Sequence, residues 1–476
     1  LANKIPFTGE YGSGKSGFVN YQKTVNLYPE AAKDGRADAA LYPTPGLIPF
    51  SIAGLAATRG GIAVGNLLFM VCGNQFVEVS ITGGATVIGN ISSAEGPVKF
   101  AYNGTQIVFV DGTKGYMYVP TTLTFTPSLS AVDTNFPDGA THVEFFDGYF
   151  LVNSPNFPGR FQFSASYNGL SWPALSYASA ERSPDALQAI AVNGREIWLL
   201  GSESAEPWYN AGAAIVPFQP ISSGFSEWGC IAPQSVATNN GTIFWLTANK
   251  HGQGQVVMAS GLQPQIISSN AIADTISSFP TIDDAFGYTY DYQRHSFYVL
   301  TFPTANRTFV YDVTTQMWHE WSTNGVDKRH ISNFHVMFQG KHVVGSYESG
   351  QLFHLDWNTY VDGQYPIHRL RRSQYVWDGN DSWIIHHKVR VECEAGVGDT
   401  SVITPAIMLR WSNDGGKTWS AEQWRNLGET GEYLRVAEWR KLSRAKVRVY
   451  EVKITDPVKV IIVNAYIDVS TMGRGD

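Results

Sequence analysis

The sequence predicts an all-β protein: a six- or seven-bladed β-propeller, with an extended N-terminal arm before it and a C-terminal β-sandwich-like domain after it. Three observations predict this. A hairpin unit recurs through the middle of the chain, helix signals are scarce, and the charge changes sign near residue 366.

The recurring unit is a turn, a short apolar or aromatic run, polar turn residues and a second apolar run. Asn103-Gly104 leads into Ile107-Val-Phe-Val110, and Asn240-Gly241 leads into Ile243-Phe-Trp-Leu246. The turns fall at 65, 104, 148, 194, 241, 293 and 340, spaced by 39, 44, 46, 47, 52 and 47 residues. A period of about 45 residues with four short strands per unit matches a propeller blade. Asn-Gly and Asp-Gly suit two-residue hairpin turns, whose central positions want φ > 0. Near-continuous apolar runs suit strands buried between neighbouring sheets. The competing arrangement, stacked hairpins in a sandwich, is less consistent with so regular a period. Gly and Pro, 46 and 23 residues, interrupt nearly every window in which a helix would need a sustained 3.6-residue period.

At 476 residues the chain exceeds what one hydrophobic core usually supports. Residues 1–50 are rich in Gly and Pro and show no paired strand runs, so they are expected to be an extended arm lying on the propeller or on a neighbour. The propeller is assigned to 51–370. Residues 371–476 hold alternating or wholly apolar runs such as Val389-Arg-Val-Glu-Cys393 and Val458-Lys-Val-Ile-Ile-Val463, a sandwich pattern. Residues 1–365 carry 17 Lys and Arg against 27 Asp and Glu, while 366–476 carry 17 against 14. That shift supports a boundary there.

The net charge of −7 argues against sequence-reading nucleic-acid binding. Charged residues are 16% and aromatics 13%, which fits a surface partly covered in the working state. The three cysteines, Cys72, Cys230 and Cys393, are too far apart for a metal site or a disulfide framework and point to a reducing cytosol. The first residues lack the apolar core of a signal peptide, and the longest apolar run, Leu67 to Cys72, is too short to cross a bilayer.

Several motifs invite a chemical reading. Gly9-Glu-Tyr-Gly-Ser-Gly14-Lys15-Ser16 matches the phosphate-binding loop letter for letter, but that loop must join a buried strand to a helix. Neither flank fits, so no nucleotide site is expected. Ser412-Asn-Asp414-Gly-Gly416-Lys-Thr418-Trp419 matches the Asp-box, a self-bonded hairpin that carries no chemistry. Asp283-Asp284 would point to opposite faces of a strand and reads as loop acids capping turns, not as the paired carboxylates of a glycosidase. The 11 histidines show no metal spacing, and His386-His387 would diverge. No catalytic residue, metal or cofactor is assigned. Arg369, Arg371, Arg372, Arg435, Arg440, Lys441, Arg444, Lys446 and Arg448 form a basic set around the C-terminal unit. It is either a solvated strand face or an interface for an acidic protein or a DNA backbone. The candidate interface residues are Arg369, Arg371, Arg372, Arg435, Arg440, Lys441 and Arg444.

Asn20-Tyr21, Val25-Asn-Leu-Tyr-Pro-Glu30 and Leu41-Tyr-Pro-Thr-Pro-Gly-Leu47, with Arg410-Trp-Ser-Asn-Asp-Gly-Gly416 near the other end, resemble the tail hub proteins of short-tailed bacteriophages. These are also called tail accessory factors or packaged-DNA stabilization proteins. The resemblance spans most of the chain. It implies a structural virion protein without catalytic activity, assembled in the host cytoplasm into a ring, expected to be a homohexamer, below the portal and adaptor. It further implies contacts with a tail needle or fibre and with tailspikes, and viral DNA passing through an acidic channel without sequence-specific binding. A sialidase-like propeller hydrolase would need Arg, Tyr and Glu converging at one propeller mouth, a set not identifiable in the sequence. A monomeric propeller scaffold is the other alternative.

Overall fold

The computed structural model describes residues 3–5, 7–14, 20–31, 39–180, 182–183, 185–248, 252–398, 404–428, 431–432 and 434–471. Seven four-stranded antiparallel sheets form a closed ring. Blades 1 to 6 span 58–90, 99–126, 143–179, 187–220, 237–266 and 286–321. Blade 7 spans 332–356 and takes its fourth strand, Gly46–Ile52, from the other end of the chain. The first strand of each blade packs against the first strand of the next, and blade 7 returns against blade 1.

Each of the seven turn positions read from the sequence joins the first and second strands of one blade. Gly104 (φ 98°) and Gly241 (φ 77°) occupy the left-handed region there, where a side chain would be strained. The second strands are buried on both faces, as in Ile107–Val110. Aromatic rings fill the space between blades. Phe69 and Phe76 of blade 1 meet Phe109, Tyr116 and Tyr118 of blade 2 in one buried cluster.

The C-terminal residues form a sandwich of two sheets. In one, Leu27–Ala31, Ala39–Pro43, Val458–Thr471, Ile384–Gly398 and Leu434–Arg440 lie in that order, with Asn3–Ile5 also paired to Val458–Thr471. The other runs Arg369–Arg372, Val449–Ile454, Ala406–Ser412, Gln423–Asn426. This second sheet does not stop at its own domain. Tyr21–Val25 pairs antiparallel with Arg369–Arg372 and parallel with the outer strand of blade 6, Met317–Trp321. Blade 6 and half of the sandwich are thus one ten-stranded sheet.

The expectation of an N-terminal arm without paired strands is therefore corrected. The described residues of 1–50 form strands in three sheets, and Ile5, Phe7, Leu27 and Leu41 lie in the sandwich core. Pro29 is tolerated because Leu27–Ala31 is the edge strand of its sheet, where a missing N–H breaks no ladder. Among the described residues there is one α-helix, Asn270–Ser277, which buries Ile272 and Ile276. Among the described residues no helix is long and apolar enough to cross a membrane.

Candidate functional site

Two places concentrate polar chemistry: the seam between propeller and sandwich, and one end of the propeller's central channel. The seam is built on Tyr21–Val25 and on the basic strand Arg369–Arg372. Alternation on that strand sends its arginines into both neighbouring layers, and all three are buried. Arg371 is fully buried. Its guanidinium donates to the carbonyls of Phe7 (2.6 Å), Gly9 and Glu10 (both 3.1 Å), to Thr24 Oγ1 (2.6 Å) and to Gln22 Oε1 (2.6 Å). Burial pulls its pKa down to about 9, partly offset by Glu10. Arg369 donates to the carbonyls of Val458 and Asp456. Arg372 makes a two-pronged contact with Glu451 (3.0 and 2.6 Å), which also takes Arg410 at 2.5 Å.

On the propeller side, Glu320 is buried between Lys23 (3.7 Å) and Arg307 (2.6 Å), and both cations also reach Asp327. Burial opposes the charge of Arg307, but Glu320 together with Tyr11 and Asp327 outweighs it and holds Arg307 above its ordinary value. Asn26 sits at φ 53° and reads both sides of the seam. Its amide donates to the carbonyls of Ser322 (2.8 Å) and His368 (3.0 Å) and accepts from the Ser322 N–H (2.9 Å). Nearby, burial pushes the carboxyl of Asp362 up to about 7, although Thr323 donates to it at 3.1 Å.

Four of the nine basic residues, Arg369, Arg371, Arg372 and Arg448, are thus interior staples, and for them the surface reading is corrected. Arg448 is tied to Asn413 (2.8 Å) and to the Leu442 carbonyl (2.5 Å). Arg435, Arg440, Lys441 and Arg444 are exposed. Arg435 pairs with Glu432 and Arg440 with Glu438, Lys446 pairs with Asp381, and Arg444 lies 5.1 Å over the exposed ring of Trp383.

The Asp-box folds as the sequence predicts. Ser412 Oγ accepts from the Gly416 N–H at 2.8 Å, Asp414 takes the N–H and hydroxyl of Thr418 at 2.9 and 2.6 Å, and Gly415 and Gly416 have positive φ. Those bonds from Thr418 hold the Asp414 carboxyl down at about 2. Its Trp419 packs against Tyr21, close to Arg372 and Arg410, so the motif braces the seam. Gly416 is required: a Cβ there would lie 2.0 Å from the Tyr21 ring.

In the phosphate-loop match, Gly12–Ser13 pairs antiparallel with Tyr21–Val25, a hairpin where the motif would need a helix. Lys15 and Ser16 lie outside the described residues. His386 turns inward to Tyr450 (2.8 Å) and His387 outward to Ser470 (2.8 Å). All three cysteines are buried and free. No group of three or more His, Cys, Asp or Glu is placed to hold a metal among the described residues.

The channel end where the innermost strands begin holds a cavity of about 690 Å³ between blades 1, 2, 6 and 7. It gathers Arg59, Arg329, Glu95, Asp283, Asp284, Tyr288 and Tyr347, a convergence the sequence reading missed because these residues come from four separate blades. The set departs from a sialidase mouth. Arg59 is consumed by the carbonyls of Gly73, Ser93, Glu95 and Gly96, and Tyr288 is bonded to Ser332 at 2.8 Å. Asp284 caps the turn at Thr304 (2.8 Å), as expected for a loop acid.

Two family models match the chain end to end, the bacteriophage P22 Gp10 β-propeller over 3–360 and the bacteriophage P22 Gp10 β-sandwich over 369–470. The chain belongs to the bacteriophage P22 Gp10 family. This is a family of podovirus packaged-DNA stabilization proteins, structural components of the phage tail. The Gp10 propeller match begins at residue 3, in keeping with N-terminal strands that are integral to the fold. No curated protein matches the sequence. Among solved structures, the Neurospora crassa Pan2 WD40 domain shares 10% identity, with 70% of this chain and 99% of that one covered and a TM-score of 0.42. The N-terminal domain of Nup159 is similar at 10% identity, 70% and 98% coverage and a TM-score of 0.41. At that level neither says anything of function.

Proposed function

We propose that this chain is the repeating subunit of the tail hub, a ring of six that connects the portal and adaptor to a needle or fibre and to tailspikes, and that retains packaged DNA until ejection. The observation that supports this beyond family membership is the ten-stranded sheet through blade 6, Tyr21–Val25 and the sandwich. A ring that closes a pressurised channel needs subunits that carry load without hinging, and a continuous hydrogen-bonded sheet supplies that. A ring also needs two different patches on each subunit that fit each other head to tail. The exposed basic edge Arg435, Arg440, Lys441 and Arg444, with Trp383 and Trp424 exposed on the same domain, has the Trp and Arg composition of interface anchors. The acidic excess of residues 1–365 gives it a complementary partner in the next copy's propeller. Net negative charge lets DNA pass without the phosphate neutralisation that holds it in place. In this reading the chain is assembled in the host cytoplasm and does its work without catalysis.

Native mass spectrometry of the purified chain, with and without portal–adaptor particles, and a count of copies per tail by electron microscopy test the reading. Six copies per tail are expected. A single copy per tail would refute the ring.

A further inference from the structure

The cavity at the channel end holds an amine that neither the seam nor the ring uses. Lys99 begins the innermost strand of blade 2, and its side chain lines the cavity wall. Glu144 is its electrostatic partner from the innermost strand of blade 3. Both side chains are half-buried, and among the described residues neither has a hydrogen-bond or ion-pair contact. The lysine nitrogen is not one of the sealed polar atoms of the interior, so it opens onto the cavity. The other titratable groups that act on it or feel it are occupied. His142 is bonded to Thr141 (3.0 Å) and to the Pro233 carbonyl (3.1 Å), and the Cys230 thiol donates to the Ala232 carbonyl (3.3 Å). Lys23, Lys446 and Lys453, by contrast, each touch a carboxylate, and Lys341 and Lys441 lie in open water.

Removal from water disfavours the charged form of both partners. Burial pulls the Lys99 ammonium down, against an opposing pull from Glu144, and it pushes the Glu144 carboxyl up, against Lys99. Both shifts favour one proton arrangement, a neutral amine beside a neutral carboxyl. Such an amine is a nucleophile, and the carboxyl beside it is a general acid. In open water only about one lysine in 2,500 is neutral at pH 7. The reaction open to this pair is condensation with a carbonyl compound. The amine lone pair bonds to the carbonyl carbon, and the oxygen takes the Glu144 proton. The nitrogen then returns one proton to Glu144. Glu144 passes it to the new hydroxyl, water leaves, and the nitrogen gives up its last proton as the C=N bond forms. One amine and one aldehyde become one imine and one water, with no oxidant or reductant.

The cavity wall selects among carbonyl compounds. Its carboxylates, Glu95, Asp283 and Asp284, outnumber its guanidiniums, Arg59 and Arg329, which disfavours keto acids and other anions. The half-buried rings of Phe100 and Phe286 add apolar faces. We propose that Lys99 is a covalent docking point for small neutral aldehydes, held as an imine, with Glu144 passing the protons. The site stands whether or not the chain forms a ring.

Propanal with cyanoborohydride, which reduces an imine to a stable secondary amine, tests this on the full chain, with peptide mass spectrometry reading each lysine. At pH 7 Lys99 is expected to be modified about tenfold faster than Lys341 and Lys441. That preference should vanish in denaturing urea, because it comes from the fold. Glu144→Gln keeps the shape and removes the acid, and should slow Lys99 roughly tenfold while leaving Lys341 unchanged. A thermal melt establishes that this variant is folded, and the comparison in urea needs no variant at all. Glyoxylate, an aldehyde that carries a carboxylate, should prefer Lys99 over Lys341 less than propanal does. Modification of Lys99 no faster than of the exposed lysines overturns the proposal. So does a preference that survives urea, or a Glu144→Gln protein that reacts at the wild-type rate. A stronger preference of glyoxylate than of propanal for Lys99 would mean that the cavity takes anions, and would overturn it too.

Discussion

The propeller and the seam are held together by different physics. In the propeller every strand except the closing one, Gly46–Ile52, pairs with its neighbour in sequence, and apolar and aromatic side chains fill the gaps between blades. Its stability is spread over many similar contacts. In the seam the partners are hundreds of residues apart. The Arg371–Phe7 bond spans 364 positions and the Asn26–Ser322 bond 296. Few side chains hold it, and most are charged or amide groups removed from water. Spread-out apolar packing tolerates single losses, whereas a buried polar cluster does not, because removing one member leaves the others unpaired. The seam is therefore where single substitutions should matter most.

The sharpest test compares two arginines. Arg371→Ala strands three carbonyls and two side chains in the interior and is expected to cost about 3–5 kcal/mol of stability. Arg440→Ala, at an exposed pair with Glu438, should leave the urea midpoint where it is. Equal effects for the two would erase the distinction between interior staple and surface charge. Next in size is Asn26→Ala. It removes three buried hydrogen bonds and places alanine at φ 53°, with a loss of about 2–4 kcal/mol expected by chemical denaturation. A loss below that of an ordinary surface substitution would show that Asn26 does not tie the two regions.

The difference also explains what the sequence could disclose. The seven hairpin turns were legible because a two-residue turn imposes a local demand, φ > 0, that Asn-Gly and Asp-Gly advertise. Blade 7's fourth strand, Gly46–Ile52, left no such trace, since its partner lies some 300 residues away and Pro45 and Pro49 flank and interrupt it. The basic strand was ambiguous for a physical reason. Alternating arginines look the same whether they face water or the carbonyls of a distant strand, and only the partner settles it. The aromatic content was equally two-sided. Trp198 and Trp245 are buried between blades, while Trp377, Trp383 and Trp424 are exposed. The cavity at the channel end was hidden because its residues come from four separate blades.

A subtler handle is pH. Asp362 is buried beside the closing strand, and its folded carboxyl titrates at about 7, well above the ~4 of an unfolded aspartate. Between those values the folded state holds a proton that the unfolded state has lost. Stability from this group is thus full below about pH 4, falls by ~1.4 kcal/mol per unit as pH rises, and is flat above 7. Asp362→Asn should abolish that part of the slope, so the variant gains on wild type from pH 4 to 7. Parallel stability curves for the two proteins would show that Asp362 is not held protonated.

The smallest expected effect on the fold is the most informative for assembly. Arg440, Lys441 and Arg444 are exposed, Lys441 lies at φ 58° in the connection after Leu434–Arg440, and none of their side chains enters the core. Reversing all three to Glu should leave unfolding unchanged. If these residues meet the acidic propeller of a neighbouring copy, attraction becomes repulsion, and rim charges act mostly through the association rate and its salt dependence. The variant ring should then form more slowly than wild type at low salt, and the gap should narrow as salt screens both proteins. Ring formation by the triple variant at the wild-type rate and with wild-type salt dependence would place the subunit contact elsewhere. Deleting residues 1–30 cannot substitute for this test. Those residues supply strands to the sandwich and the strand that joins it to blade 6, so their loss would break the subunit before it could report on the ring.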